Sequence, residues 1–216
     1  MKIFSFLILL IFISCGKSGG KSGCQDMVCE ANLFSLDTTE DGAIPPEALR
    51  FETSLLLVNF NDSQREKVED AADLVKRVIS SQEFKDAVVN HTVNGVKTFA
   101  NNNGLTNLQI YERIIIASER VSPAKNFTLD VELELYYENS STIGYTYPDS
   151  TRIWMNTKYF NTFSPYKVAD NLTHEWIHKL GFVHDAAATE ARPNSVPYAV
   201  GYIVRDLASR MFPGLY

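Results

Sequence analysis

The chain is 216 residues long and carries 20 lysines and arginines against 26 aspartates and glutamates, a formal charge of −6. That balance, with no basic cluster anywhere, argues against nucleic acid as a partner. From residue 49 onward no repeat or low-complexity run interrupts the chain, and that length suits one domain with a core of its own.

Met1-Lys2 leads into an apolar run from Ile3 to Ile13, followed by Ser14-Cys15. The run is too short to span a bilayer and has the shape of a signal-peptide core. A small residue and then Cys at its end resembles the bacterial lipoprotein lipobox, with Phe12 where Leu is usual. The resemblance implies that Cys15 carries the lipid and begins the mature chain. An ordinary secretory signal with a nearby cleavage site is the other reading of these residues. Both take the protein out of the cytoplasm, either as a membrane-anchored lipoprotein facing the periplasm or exterior, or as a secreted protein. Residues 1–14 are thus the expected signal peptide and 15–48 a tether, made flexible by the GKSGGKSG stretch at 16–23. Gly20-Lys21-Ser22 does not make a phosphate loop, because Cys15 stands where that motif needs its first Gly and no strand precedes it. Cys24 and Cys29 most simply close a small disulfide loop; the sharper alternative is a thiolate that caps a metal.

Within the expected domain, Phe51 to Phe60 is apolar and reads as a strand. Asp62 or Ser63 caps a long helix through about Val89, with Val68, Ala71, Ala72, Leu74, Val75, Val78 and Ile79 as its buried side. His91 follows as a surface or capping residue, and Asn94-Gly95 marks a turn. Thr106 to Ser118 is a second helix. Thr128 to Tyr137 alternates Leu129, Val131, Leu133 and Leu135 with acidic residues, the pattern of a half-exposed strand with Asp130, Glu132 and Glu134 on its solvated face. Ile143 to Asn156 is rich in aromatic residues, and Pro148 suits an edge position because it cannot donate to an inner ladder. Ser164 then caps the next helix, with Pro165 in its first turn.

That helix carries the chemistry. His174-Glu175-Trp176-Ile177-His178-Lys179-Leu180-Gly181-Phe182-Val183-His184 fits H-E-x-x-H-x-x-G-x-x-H at every fixed position, and holds three of the chain's four histidines. Residues four apart share a helix face, so His174 and His178 can aim at one ion. Glu175 lies about 100° round the helix, where its carboxylate reaches a water at that ion without being a ligand. Gly181 allows the chain to turn out of the helix, which brings His184 back as a third nitrogen. Three neutral imidazoles leave one tetrahedral position open, as catalytic zinc sites do.

This stretch resembles the metzincin zinc metallopeptidases, and Asp185 after the third His is similar to the H-D ending of their adamalysin and snapalysin branches. The resemblance implies Zn2+ held by His174, His178 and His184, and Glu175 as general base, with Asp185 holding the loop by hydrogen bonding. It also implies an α/β (α+β) domain over 49–216: a mixed twisted sheet with an edge strand along the cleft, a long backing helix and an active-site helix. Gly144, Tyr145 and Thr146 fall where that edge strand would receive an extended substrate; an aromatic hairpin packed on the core is the alternative. The family's Met-turn is not matched, because Ser195-Val196-Pro197-Tyr198 puts Pro197 in the methionine's place. Tyr198 is either an oxyanion stabiliser or a buried hydrogen-bonding Tyr. Met211 belongs with Val200, Ile203, Val204 and Leu207 to the apolar stripe of a closing helix ended by Pro213-Gly214. The function expected is a monomeric zinc endopeptidase acting on a protein or peptide substrate. Two other readings share the site: a zinc-binding envelope lipoprotein without hydrolysis, and a zinc amidase acting on cell-wall peptides.

Overall fold

Two strands, β1 (Glu52–Val58) and β2 (Thr128–Tyr136), run parallel, with Leu55 opposite Val131 and Leu57 opposite Leu133. The computed structural model in which they are seen describes residues 51–123 and 126–215. The expected signal peptide, the tether, Cys15, Cys24 and Cys29 lie outside the described residues. β1 is shorter than the apolar run predicts: Phe51 and Phe60 flank it and turn into the core.

Between these strands lie α1 (Asp62–Ile79), α2 (Gln82–Val89) and α3 (Asn107–Ile116). The single helix expected from 62 to 89 is two. Ser81 takes an extended backbone and its hydroxyl accepts from the Phe84 N–H at 3.1 Å, so a new helix is capped where the first one stops. The first cap is also one residue earlier than expected, because Asn61 and Gln64 form a reciprocal capping box. All seven apolar residues predicted for the inner face of α1 are buried. Thr106 caps α3 through a second capping box with Gln109.

After β2 come β3 (Gly144–Thr146), β4 (Arg152–Asn156), the one-turn α4 (Thr157–Phe160), α5 (Pro165–Lys179) and α6 (Val196–Met211). The sheet order is β1-β2-β4-β3, with β4 parallel to β2 and β3 antiparallel at the edge. The architecture is α+β, a four-stranded open mixed sheet with its helices. Leu129, Val131, Leu133 and Leu135 of β2 join Ile153 and Met155 of β4 in the core with α1, α5 and α6.

The polar face of β2 differs from a merely solvated one. Arg152 on β4 bonds both Glu132 and Glu134, and the Trp154 indole donates to Glu134 at 3.2 Å. The Tyr145 ring stacks on Trp154, with centroids 5.1 Å apart. Cross-strand pairs of this kind lock β3 against β4 although they share only three residue pairs. His91 is half-buried rather than a surface residue, its ring stacked 4.1 Å from that of Phe99.

Candidate metal centre

The Ser164 hydroxyl accepts from the Lys167 N–H at the start of α5, and Pro165 sits in the first turn, where its missing N–H costs nothing. Val168, Leu172, Trp176 and Ile177 bury the inner side of this helix. His174 and His178, four apart, stand on the side that faces the cleft.

The helix ends in a Schellman motif: the Phe182 N–H donates to Ile177 O at 3.4 Å and the Gly181 N–H to His178 O at 3.0 Å. Gly181 has φ +94°, which a side chain would strain. The turn brings His184 back, so that one ring nitrogen from each of His174, His178 and His184 lies within 4.8 Å of the other two. Small side-chain rotations close such a set on one ion with bonds of about 2 Å.

Backbone carbonyls fix two of the rings. His178 Nδ1 lies 2.8 Å from Phe182 O and His184 Nδ1 lies 2.9 Å from Asp185 O. A carbonyl only accepts, so each Nδ1 carries a proton, and in the neutral ring Nε2 is the nitrogen left with a lone pair. Burial lowers the pKa of His174 to about 2 and of His178 to about 4, helped by the neighbouring imidazoles. Both are therefore neutral at physiological pH, the state in which imidazole binds metal.

Glu175 is only 4% exposed, and burial raises its pKa to about 8 while the Asn171 side chain, one turn earlier, pulls the other way. The backbone of the edge strand lies directly over it. A Cβ on Gly144 would come 3.3 Å from Glu175 Oε1, 3.0 Å from Asn171 Oδ1 and 3.0 Å from Trp154 O.

Around these groups opens a cleft of about 730 Å3. β3 forms one wall with Gly144, Tyr145 and Thr146, and α6 contributes Tyr198 and Tyr202. The Tyr198 ring packs 4.4 Å from His174 and 4.8 Å from His184, centroid to centroid. Ser195-Val196-Pro197-Tyr198 is the first turn of α6, with Val196 and Pro197 buried. Met211, at the far end of that helix, packs partly buried on the core and does not line the cleft. Asp185 braces the loop: its carboxylate accepts from Thr189 Oγ1 at 2.5 Å and Asn101 Nδ2 at 3.4 Å. Asn103 Nδ2 adds a bond of 3.1 Å to Gly181 O.

His174, Glu175, His178, His184, Gly144, Tyr145 and Thr146 thus meet at one place with Tyr198, whereas Cys15, like Cys24 and Cys29, lies outside the described residues. Sequence reasoning missed Asp170, Asn171, Arg120, Arg192 and Gly201. The first two had a signal, since they precede His174 and Glu175 by four on the same helix. The others are brought in by tertiary approach and left no local trace. Comparison with protein families, with curated proteins and with solved structures finds no match to the chain.

Proposed function

We propose that the protein is a zinc-dependent endopeptidase of metzincin-like design, working outside the cytoplasm on a lipid-bearing tether. The observation that carries this reading is the meeting of three converging imidazoles with the Glu175 carboxylate under the backbone of an edge strand. The donor set fits zinc: all-nitrogen, two rings fixed by backbone carbonyls, and open to a cleft. His174, His178 and His184 would hold the ion, which when bound supplies Lewis acidity for a carbonyl and acidifies water.

The rest of the work falls to the chain's own groups. The free edge of β3 takes an extended peptide by main-chain hydrogen bonds, so that its backbone runs past Glu175. Glu175 takes the proton of the attacking water and passes it to the departing amine. Tyr198, whose ring packs against two of the imidazoles, would donate to the developing oxyanion.

The test is metal analysis of the purified chain, with cleavage of an unstructured protein by wild type and Glu175→Gln. One zinc per chain is expected in both, with turnover at least about 100-fold lower in the variant. A zinc-loaded chain that cuts nothing, or a Glu175→Gln variant as active as wild type, overturns the reading.

A further inference from the structure

The whole chain is acidic, with 26 acidic against 20 basic side chains, yet the cleft is lined by Arg120, Lys167 and Arg192 against Asp170 and Glu175. Asp170 is already engaged, by Lys167 Nζ at 2.5 Å and Arg205 Nη1 at 3.4 Å. Arg205 also pairs with Asp206 at 2.8 Å. At this end of the cleft three cations therefore face two carboxylates, and Arg192 is the one left over. Among the described residues no carboxylate pairs with Arg192, nor with Arg120 at the other end, where its Cδ lies 3.4 Å from where a Cβ on Gly181 would sit.

Arg192 belongs to the short 3-10 turn Arg192–Asn194 just before α6. Its Nη1 donates to Ala186 O at 3.1 Å and its guanidinium lies 5.2 Å from the Tyr198 ring centre. Its Nε is shielded from solvent and has no acceptor among the described residues. With Nε shielded from any ligand, the outer nitrogens of the guanidinium on the cleft wall are the donors left for an anionic acceptor. Guanidinium is also the group that meets a carboxylate through two parallel hydrogen bonds. The Tyr198 ring holds it beside the imidazoles, where a substrate side chain next to the scissile bond must lie.

Resting on the reading of the cleft as a peptide site, we propose that it selects acidic peptides. A carboxylate flanking the scissile bond docks on Arg192, and one on the opposite flank meets Arg120. Lys167, neutralised by Asp170, contributes packing along the cleft wall rather than recognition. Because the rest of the molecule is negative, selection comes from contact inside the cleft and not from long-range steering.

The experiment uses the full zinc-loaded chain and three sets of labelled peptides identical except for Asp, Asn or Lys at the flanking positions. Binding to the Glu175→Gln variant, followed by fluorescence anisotropy, reads recognition without turnover. The Asp peptides are expected to bind roughly 10–100-fold more tightly than the Asn peptides, with the ratio shrinking as salt rises. Arg192→Lys, which keeps the charge but loses the paired hydrogen bonds, should leave a weakened preference for Asp, and Arg192→Glu should reverse it in favour of the Lys peptides. A role for Arg192 only in bracing the loop predicts equal weakening for all three sets. Equal binding of Asp and Asn peptides, no binding, or an Arg192→Glu variant that still prefers Asp overturns the inference. Cleavage by wild type separates the two readings. Charge-selective binding without cleavage removes the peptidase and leaves the acidic site, whereas cleavage indifferent to charge does the opposite.

Discussion

Gly201 of α6 lies against His174: a Cβ on Gly201 would come 3.5 Å from the His174 Cβ and 2.6 Å from Asp170 Oδ1. The backbone of Asp170 is also near, with its carbonyl oxygen 3.0 Å away. Two helices can approach this closely only where one has no side chain, and here the approach seats Tyr198 beside His174 and His184. Gly201→Ala is therefore expected to push α6 away from α5. Overpacking of this kind costs about 1–3 kcal/mol, and displacement of the groups around a ligand weakens metal binding by about 10–100-fold. Thermal unfolding and competition with a zinc chelator measure both effects. An unchanged chelator titration would show that the contact does not position His174.

Gly144 makes the equivalent approach on the opposite wall. A methyl there meets the Trp154 carbonyl, which cannot rotate away, and crowds Glu175 Oε1 and Asn171 Oδ1. Gly144→Ala should leave metal content intact, because no imidazole is touched, while lowering kcat by displacing Glu175, the proposed general base. A loss of about tenfold or more is expected from a shift of under 1 Å in a proton-transfer geometry. Equal kcat with raised KM would instead place the effect on substrate pairing along β3.

How far these features were legible depends on whether a local rule governs them. The meeting of His174, His178 and His184 beside Glu175 was, because the spacing of one helix and one turn brings them together. The alternation in β2 was legible for the same kind of reason. The break at Ser80-Ser81 was not, because apolar spacing continues across it from Val78 and Ile79 to Phe84 and Val88. Two competing capping boxes obscured the start of α1: Asn61 with Gln64, and Ser63 with Glu66. Contact with α4 favours the first, through the Gln64 bond to Asn161 at 2.9 Å and the Lys67 bond to Phe160 O at 3.2 Å. Arg192 and Gly201 matter only once α6 lies across α5, and no window of sequence contains that fact.

Tyr198 is half-buried, with its ring against two imidazoles, and it lines the cleft. Tyr198→Phe keeps the ring and removes the hydroxyl. If that hydroxyl stabilises the oxyanion, kcat should fall by about 10–1000-fold with zinc affinity and KM little changed. A variant with full kcat and a lower melting temperature would assign Tyr198 to packing alone.

Behind α5 lie two buried ionisable groups, Glu119 and Lys179, that the proposed chemistry does not use. Glu119 accepts from the Trp176 indole at 2.9 Å, and Lys179, 1% exposed, donates to Ser150 O. Burial raises the Glu119 pKa from 4.5 to about 7, with Lys179 and Trp176 pulling it back only in part. Between those values the folded chain holds a proton that the unfolded chain has lost, so this group's contribution to stability falls as pH rises from about 4.5 to about 7. His174 and His178 act in the opposite direction without metal. Their lowered pKa values mean that the unfolded chain binds the extra protons, and stability rises as pH climbs from about 4 towards 6.5. The wild-type profile in chelator therefore mixes two opposed slopes, and the difference between wild type and Glu119→Gln isolates one of them. Glutamine resembles the protonated carboxyl, so the two proteins should unfold with similar free energy at pH 4.5. At pH 8 the variant should be relatively more stable by roughly 2–3 kcal/mol, because each tenfold change in proton affinity is worth about 1.4 kcal/mol. Urea unfolding at the two pH values measures this directly. A difference that stays constant with pH would mean that Lys179 holds Glu119 charged throughout, and that the two form a true ion pair rather than a protonated acid beside a buried amine.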